Sequence, residues 1–196
     1  LGRGDMLYLP PDVAHDGVAL DPCTTYSVGF RAPAAHELAT AFLDWLRDRI
    51  ELIGRYRDPN LDVQRTPARI GRDLQAYAKD SLSRVTWNER AIERFLGCYL
   101  TEPKPGVTFS PPSPALSRTA FALCAARKGL RLDSAAQLLY DARHIFVNGD
   151  ALEPPRQAAS ALRRLADARE LPPSRVDREA LTILYRWYRD GFVHTG

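Results

Sequence analysis

The sequence predicts an α+β chain in three parts, and three observations carry that prediction. Short β-forming runs broken by prolines occupy the first 33 residues, and helical periodicity without strands fills the middle. Past a proline-rich connector, a helix, a few short apolar runs and two further helices follow. The 196 residues allow one domain or two small ones, and 45% hydrophobic with 26% charged residues is ordinary globular composition.

In residues 1–33, Asp5-Met6-Leu7-Tyr8-Leu9 reads as a strand stopped by Pro10-Pro11. Val18-Ala19-Leu20 is a second short strand and Thr24 to Phe30 a third, rich in β-formers. On that third strand Thr25, Ser27 and Gly29 share one face, and Thr24, Tyr26, Val28 and Phe30 the other. Three such strands cannot be stable alone and call for the rest of a sheet. The chain opens on Leu1-Gly2-Arg3-Gly4-Asp5 with its sole Met at position 6, so it is expected to be the C-terminal fragment of something longer.

Residues 34–108 read as a helical region. Leu38, Phe42, Trp45, Leu46 and Ile50 predict a helix over 36–53. Ile70, Leu74, Tyr77, Ala78 and Leu82 give a second stripe, and Ile92, Phe95, Leu96, Tyr99 and Leu100 a third, with Thr86 as the expected cap. Three aromatic-bearing stripes make a small bundle or a dimerisation surface, and a homodimer through 34–108 is expected.

Prolines 103, 105, 111, 112 and 114 then lead into residues 109–196. Helices are expected at 117–126, 155–168 and 175–190, and strands at 130–132, 137–141, 144–147 and 192–194. Asn148-Gly149-Asp150 is a strong turn signal. Helix, small sheet, then two helices is the content of a winged-helix-like domain.

Charge and composition exclude several classes. No apolar run approaches the ~18–20 residues of a membrane span, and no basic-then-apolar leader precedes the first residues. Cys23, Cys98 and Cys124 are odd in number and far apart, which offers neither a disulfide framework nor a paired metal motif and suits a reducing cytoplasm. The net charge of +3 is mild and permits an anionic partner without demanding one. Arg156, Arg163, Arg164 and Arg169 lie on or beside one helix and offer phosphate contacts, but Asp167 and Glu170 interrupt them and favour a solvated face.

Among the four histidines, His36, His144 and His194 read as structural or solvated. His15 differs: it follows a strand and two prolines, on a turn with little freedom left to lose on binding. Residue chemistry alone leaves two readings open, a metal ligand or a histidine in a polar turn.

The run Gly4-Asp5-Met6-Leu7-Tyr8-Leu9-Pro10-Pro11, then His15-Asp16-Gly17, then Tyr26-Ser27-Val28-Gly29-Phe30-Arg31-Ala32-Pro33 resembles the JmjC-type cupin ribosomal oxygenases, most closely their bacterial arginine hydroxylases. The resemblance implies that residues 1–33 are the C-terminal strands of a cupin, or double-stranded β-helix, barrel. It implies a helical dimerisation region at 34–108 and a C-terminal winged-helix-like domain at 109–196, and Ile145-Phe146-Val147-Asn148-Gly149 also fits. By the same resemblance His15 is the third ligand of an Fe(II) centre, and the activity is hydroxylation of a ribosomal protein side chain, arginine first, with 2-oxoglutarate as cosubstrate and dioxygen as oxidant. Thr25 and Ser27 are candidates for lining the cosubstrate pocket, against the alternative of solvent-facing β-formers; Tyr26 and Arg31 are weaker candidates.

One departure is large. The family's first two ligands form a His-x-Asp pair, and none occurs in these residues. A two-histidine, one-carboxylate triad holds iron on one face and leaves positions open for cosubstrate and oxygen; one imidazole does not. This chain alone is therefore expected to be inactive. The competing reading is a non-enzymatic, dimerising winged-helix module that binds protein or nucleic acid.

Overall fold

A computed structural model describes residues 1–10, 13–28, 33–57, 63 and 65–196. It divides into two units, Leu1–Ala34 and Ala35–Gly196.

In the first unit no helix or strand forms among the described residues. The strands expected at 5–9, 18–20 and 24–30 are therefore extended or turning chain here, and Gly29, Phe30 and Arg31 lie outside the described residues. The reason is physical. A strand exists through its ladder, and no described segment of this unit offers an edge to pair with. A local turn forms near the start, in which Gly2 N–H donates to Asp5 Oδ2 at 2.7 Å and Asp5 N–H donates to Gly2 O at 3.1 Å.

The second unit begins with α1 (Ala35–Arg47). Its stripe sets Phe42 and Trp45 against Phe95, with ring centroids 5.3 and 6.0 Å apart, and buries Leu46. The helix stops at Arg47 instead of running to 53. Arg49 N–H turns back to Leu46 O, Gly54 takes φ +124°, and Leu52 and Ile53 are exposed, so continuation has no apolar face to bury. Next, α2 (Arg72–Ser83) keeps the expected stripe but buries none of it. Then α3 (Glu89–Thr101) is capped by Asn88, whose side chain accepts from Ala91 N–H at 3.0 Å, in place of the expected Thr86. Asn88 sits directly before the first helical residue, where its short carbonyl reaches the third N–H of the helix.

The last part opens with α4 (Arg118–Lys128), capped by Ser117 and closed by Gly129 at φ +81°. A side chain at Gly129 would meet Leu171 O, so close backbone approach as well as conformation demands glycine. The strands β1 (Leu130–Leu132), β2 (Leu138–Tyr140), β3 (Ile145–Val147) and β4 (Asp150–Leu152) precede α5 (Arg156–Ala168). The chain ends with β5 (Glu170–Leu171), α6 (Arg178–Arg189) and β6 (Val193–Thr195).

Two antiparallel three-stranded sheets result, ordered β5-β1-β6 and β2-β3-β4. In the first, Leu130 faces Leu171 and Thr195, and Arg131 faces Glu170 and His194. In the second, Asn148 and Gly149 form the two-residue turn of the β3-β4 hairpin, both with positive φ (48° and 90°). Leu162 and Leu165 of α5, Leu184 of α6, Phe121 of α4 and the inner faces of the strands form one core. The proline-rich connector is tied down on it: Phe109 meets Phe192 edge-on at 4.7 Å, and Tyr185 Oη donates to Leu116 O at 3.0 Å.

The middle helices do not all stand apart from this core. Gly97 of α3 is packed so closely on Phe146 that a Cβ there would enter the ring. Thr101 Oγ1, fully buried, donates to Gly97 O at 2.8 Å and accepts from Gly149 N–H at 3.1 Å. Helix α3 is thereby fixed to the hairpin turn of the second sheet.

Candidate functional site

His15, Thr25 and Ser27 are all exposed. The His15 ring makes one local contact, Nδ1 to Val13 O at 3.1 Å. No hydrogen bond among the described residues joins these three side chains, and without a formed strand Thr25 and Ser27 have no shared face. Nor do the described residues contain any group of three or more His, Cys, Asp or Glu side chains able to hold a metal ion. The described residues thus do not by themselves fit an iron centre, since one exposed imidazole supplies a single ligand.

The other chemistry-bearing side chains lie in the last part, where sequence reasoning treated the histidines as structural. His194 Nε2 is 2.8 Å from Asp133 Oδ2. That hydrogen bond, with a second from Ala135 N–H, holds the Asp133 carboxyl below its ordinary value. His144 is buried, with Nδ1 3.0 Å from Asp141 Oδ2 and Nε2 3.3 Å from Glu153 Oε1. Burial pushes the Asp141 carboxyl up, but the N–H donors of His144 and Arg143 together with the His144 ring outweigh it and leave it below the usual value. An aspartate at the head of a short bend, able to accept from the N–H two residues on, is the sequence signal for that arrangement. Glu153, nine residues beyond His144 and across β4, carries no such signal.

The arginines considered for phosphate contact are partly committed inside the fold. Arg163 stacks over Tyr140 and donates to Ala142 O at 3.0 Å. Arg169, in the left-handed region at φ 59°, donates to the carbonyls of Asp133, Ser134 and Ala136. Tyr140 Oη bonds both oxygens of Asp167 at 3.1 Å, which raises the tyrosine hydroxyl above its ordinary value. These contacts clamp the 133–136 and 141–142 turns to α5. In α3, burial pushes the Cys98 thiol up, partly opposed by Arg49 and Arg94, so it is not poised as a nucleophile.

The order of these elements has a match in known families. The model described as ROXA-like winged helix matches residues 84–194, from the turn after α2 to β6 and more than half of the chain. The chain belongs to the ROXA-like winged helix family. A second family model, described as JmjC domain, matches residues 1–38, the stretch that contains His15. The ROXA-like chain is also 28% identical over 162 residues to the ribosomal protein uL16 3-hydroxylase of Escherichia coli (strain K12), covering 81% of this chain and 43% of that protein. The recognition of a ribosomal-oxygenase-type chain is borne out by these matches. Among solved structures it is similar to the E. coli ribosomal oxygenase YcfD, with a TM-score of 0.61 and 21% identity over 86% of this chain and 48% of that one. YcfD in complex with cobalt and 2-oxoglutarate gives a TM-score of 0.60 at 20% identity, over 85% of this chain and 47% of that one. At that identity the likeness shows the fold. The ROXA-like chain spans less than half the length of these relatives.

Proposed function

We propose that this chain serves an Fe(II)- and 2-oxoglutarate-dependent hydroxylase of a ribosomal protein, with an arginine side chain as the favoured target. The observation that carries the reading is the JmjC match over residues 1–38, on the same chain as the winged-helix match and the 28% identity to a uL16 hydroxylase. In this reading His15 contributes one ligand to an iron centre, and the remaining ligands come from outside these 196 residues. Residues 1–33 belong to the barrel, where Thr25 and Ser27 line the cosubstrate pocket. The chain on its own lacks the triad and has no hydroxylase activity.

Residues 34–108 are proposed as a homodimerisation region and 109–196 as the winged-helix-like domain. Support for the dimer comes from apolar side chains left uncovered in the second unit. Ile70, two residues before α2, and Leu82, in its last turn, are 65% and 71% exposed, and Ile92, Leu96 and Leu100 form a half-exposed line at i, i+4 and i+8 on α3. A cytoplasmic location fits a ribosomal protein target, and among the described residues no helix is long and apolar enough to cross a membrane.

Mass spectrometry of ribosomal proteins from cells with and without the gene tests the reading. One ribosomal protein is expected to carry an additional oxygen on a side chain only when the gene is present. Identical ribosomal protein masses in both strains contradict it and favour the non-enzymatic module.

A further inference from the structure

The clamping of Arg163 and Arg169 moves the question of an anionic partner to a different face. On α6, Arg178, Thr182, Arg186 and Arg189 follow one another at i, i+4, i+8 and i+11, and all four are exposed. That spacing keeps them on one side of the helix. At 1.5 Å rise per residue the line is about 16 Å long. Arg118, at the first turn of α4, reaches the same line, because its guanidinium donates to Thr182 Oγ1. Four exposed arginines therefore share one face, three along α6 and Arg118 joined to it at Thr182, on two helices fixed by the shared core.

The acids nearby are few and mostly engaged. Asp177 is occupied as the α6 cap, accepting from Glu179 N–H and Ala180 N–H. Among the described residues Asp190 pairs with Arg186 alone, at 3.9 Å, and Glu179 flanks the line one position from Arg178. Among the described residues Arg118, Arg178 and Arg189 make no ion pair within 4.0 Å. Arginines held on a rigid helix and not spent on carboxylates or carbonyls suit phosphate oxygens, which accept the planar fork directly.

We propose that this arginine ridge of α6 and α4 binds the phosphodiester backbone of RNA. The choice of RNA rests on the ribosomal-protein reading above, since such a target lies among RNA phosphates. The contact itself rests on the ridge. It is read without any hydroxylation assay, so either idea fails without the other.

The test is fluorescence anisotropy of the full chain with a labelled single-stranded RNA of mixed sequence. Three to four phosphate contacts predict that affinity falls about 20- to 50-fold between roughly 50 and 200 mM salt. The double variant Arg178→Glu/Arg189→Glu is expected to lower affinity at low salt at least tenfold, with circular dichroism unchanged, and to reduce the slope of log affinity against log salt by about 1.4. Arg156→Glu/Arg164→Glu on α5, which makes the same change in net charge, is expected to bind within about twofold of the parent, an allowance for long-range charge alone. Parity between RNA and single-stranded DNA is expected from backbone contacts. No binding at low salt, an unaffected α6 variant, or an equal loss in the α5 variant overturns the ridge. Preference for DNA overturns the choice of RNA.

Discussion

Thr101→Val tests whether α3 and the winged-helix sheet behave as one folded body. The side chain is fully buried and valine copies its shape, so the change removes a hydroxyl and leaves packing intact. Three contacts go with it: a donation shared between Gly97 O at 2.8 Å and Cys98 O at 3.2 Å, and an acceptance from Gly149 N–H. The donation to Gly97 O is nearly neutral to lose, because that carbonyl also sits in the helix ladder. The acceptance from Gly149 N–H, at 3.1 Å and partly buried, is the costly one, since a turn N–H is left without its partner. A donor stranded in that way costs about 1–3 kcal/mol. Urea denaturation of the full chain is the assay, with the midpoint expected to fall at unchanged slope. Thr101→Ser keeps the hydroxyl and loses one methyl, so about 1 kcal/mol is expected. If Val and Ser variants lose equally, or Val loses nothing, the hydroxyl bridge is not what fixes α3 to the hairpin turn.

Two further outcomes follow from the same structure. The Asp133 carboxyl is held below its unfolded value by His194 and Ala135. Between the depressed folded value and the unfolded value near 3.8 the unfolded chain binds more protons. The stabilisation is therefore fully present above that window and lost as pH falls through the folded value. Asp133→Asn is expected to flatten the acid limb of a stability-against-pH curve, and an unchanged limb counts against the pair. For the proposed dimer, light scattering at micromolar concentration is expected to give twice the chain mass, with Leu82→Asp/Leu96→Asp giving the monomer; a monomeric parent refutes the interface.

The helices were legible because their signals are local. The stripes around Phe42 and Phe95 repeat at helical spacing, and Asn148-Gly149 marks a turn by residue type alone. What failed to show was of two kinds. The strands β4 and β5, three and two residues long, are too short to display alternation, and they exist only through register with β3 and β1. Conversely, the β-forming runs before residue 30 have the composition of strands without a described partner, so propensity produced no ladder. The end of α1 at Arg47 likewise depended on which apolar faces find cover, not on periodicity.

At the candidate sites the division is similar. His15 was singled out by its place after two prolines, and its resemblance to a known motif is matched by the JmjC model over the same residues. The clamps of Arg163 and Arg169 were illegible, because their acceptors are main-chain carbonyls some 20 to 36 positions away in the sequence. A carbonyl has no signature in a residue string. Gly97 is a comparable case, a helical glycine whose reason is the ring of Phe146 on a strand far along the chain.

In the proposed reading His15 is an iron ligand of a ribosomal-protein hydroxylase. The decisive measurement is the intact mass of each ribosomal protein after incubation with the full-length protein, Fe(II), 2-oxoglutarate and air. The parent is expected to add the mass of one oxygen atom to one ribosomal protein and His15→Ala to add none, with both proteins equally folded by circular dichroism. Oxygen addition that survives His15→Ala, or none from the parent, contradicts the account.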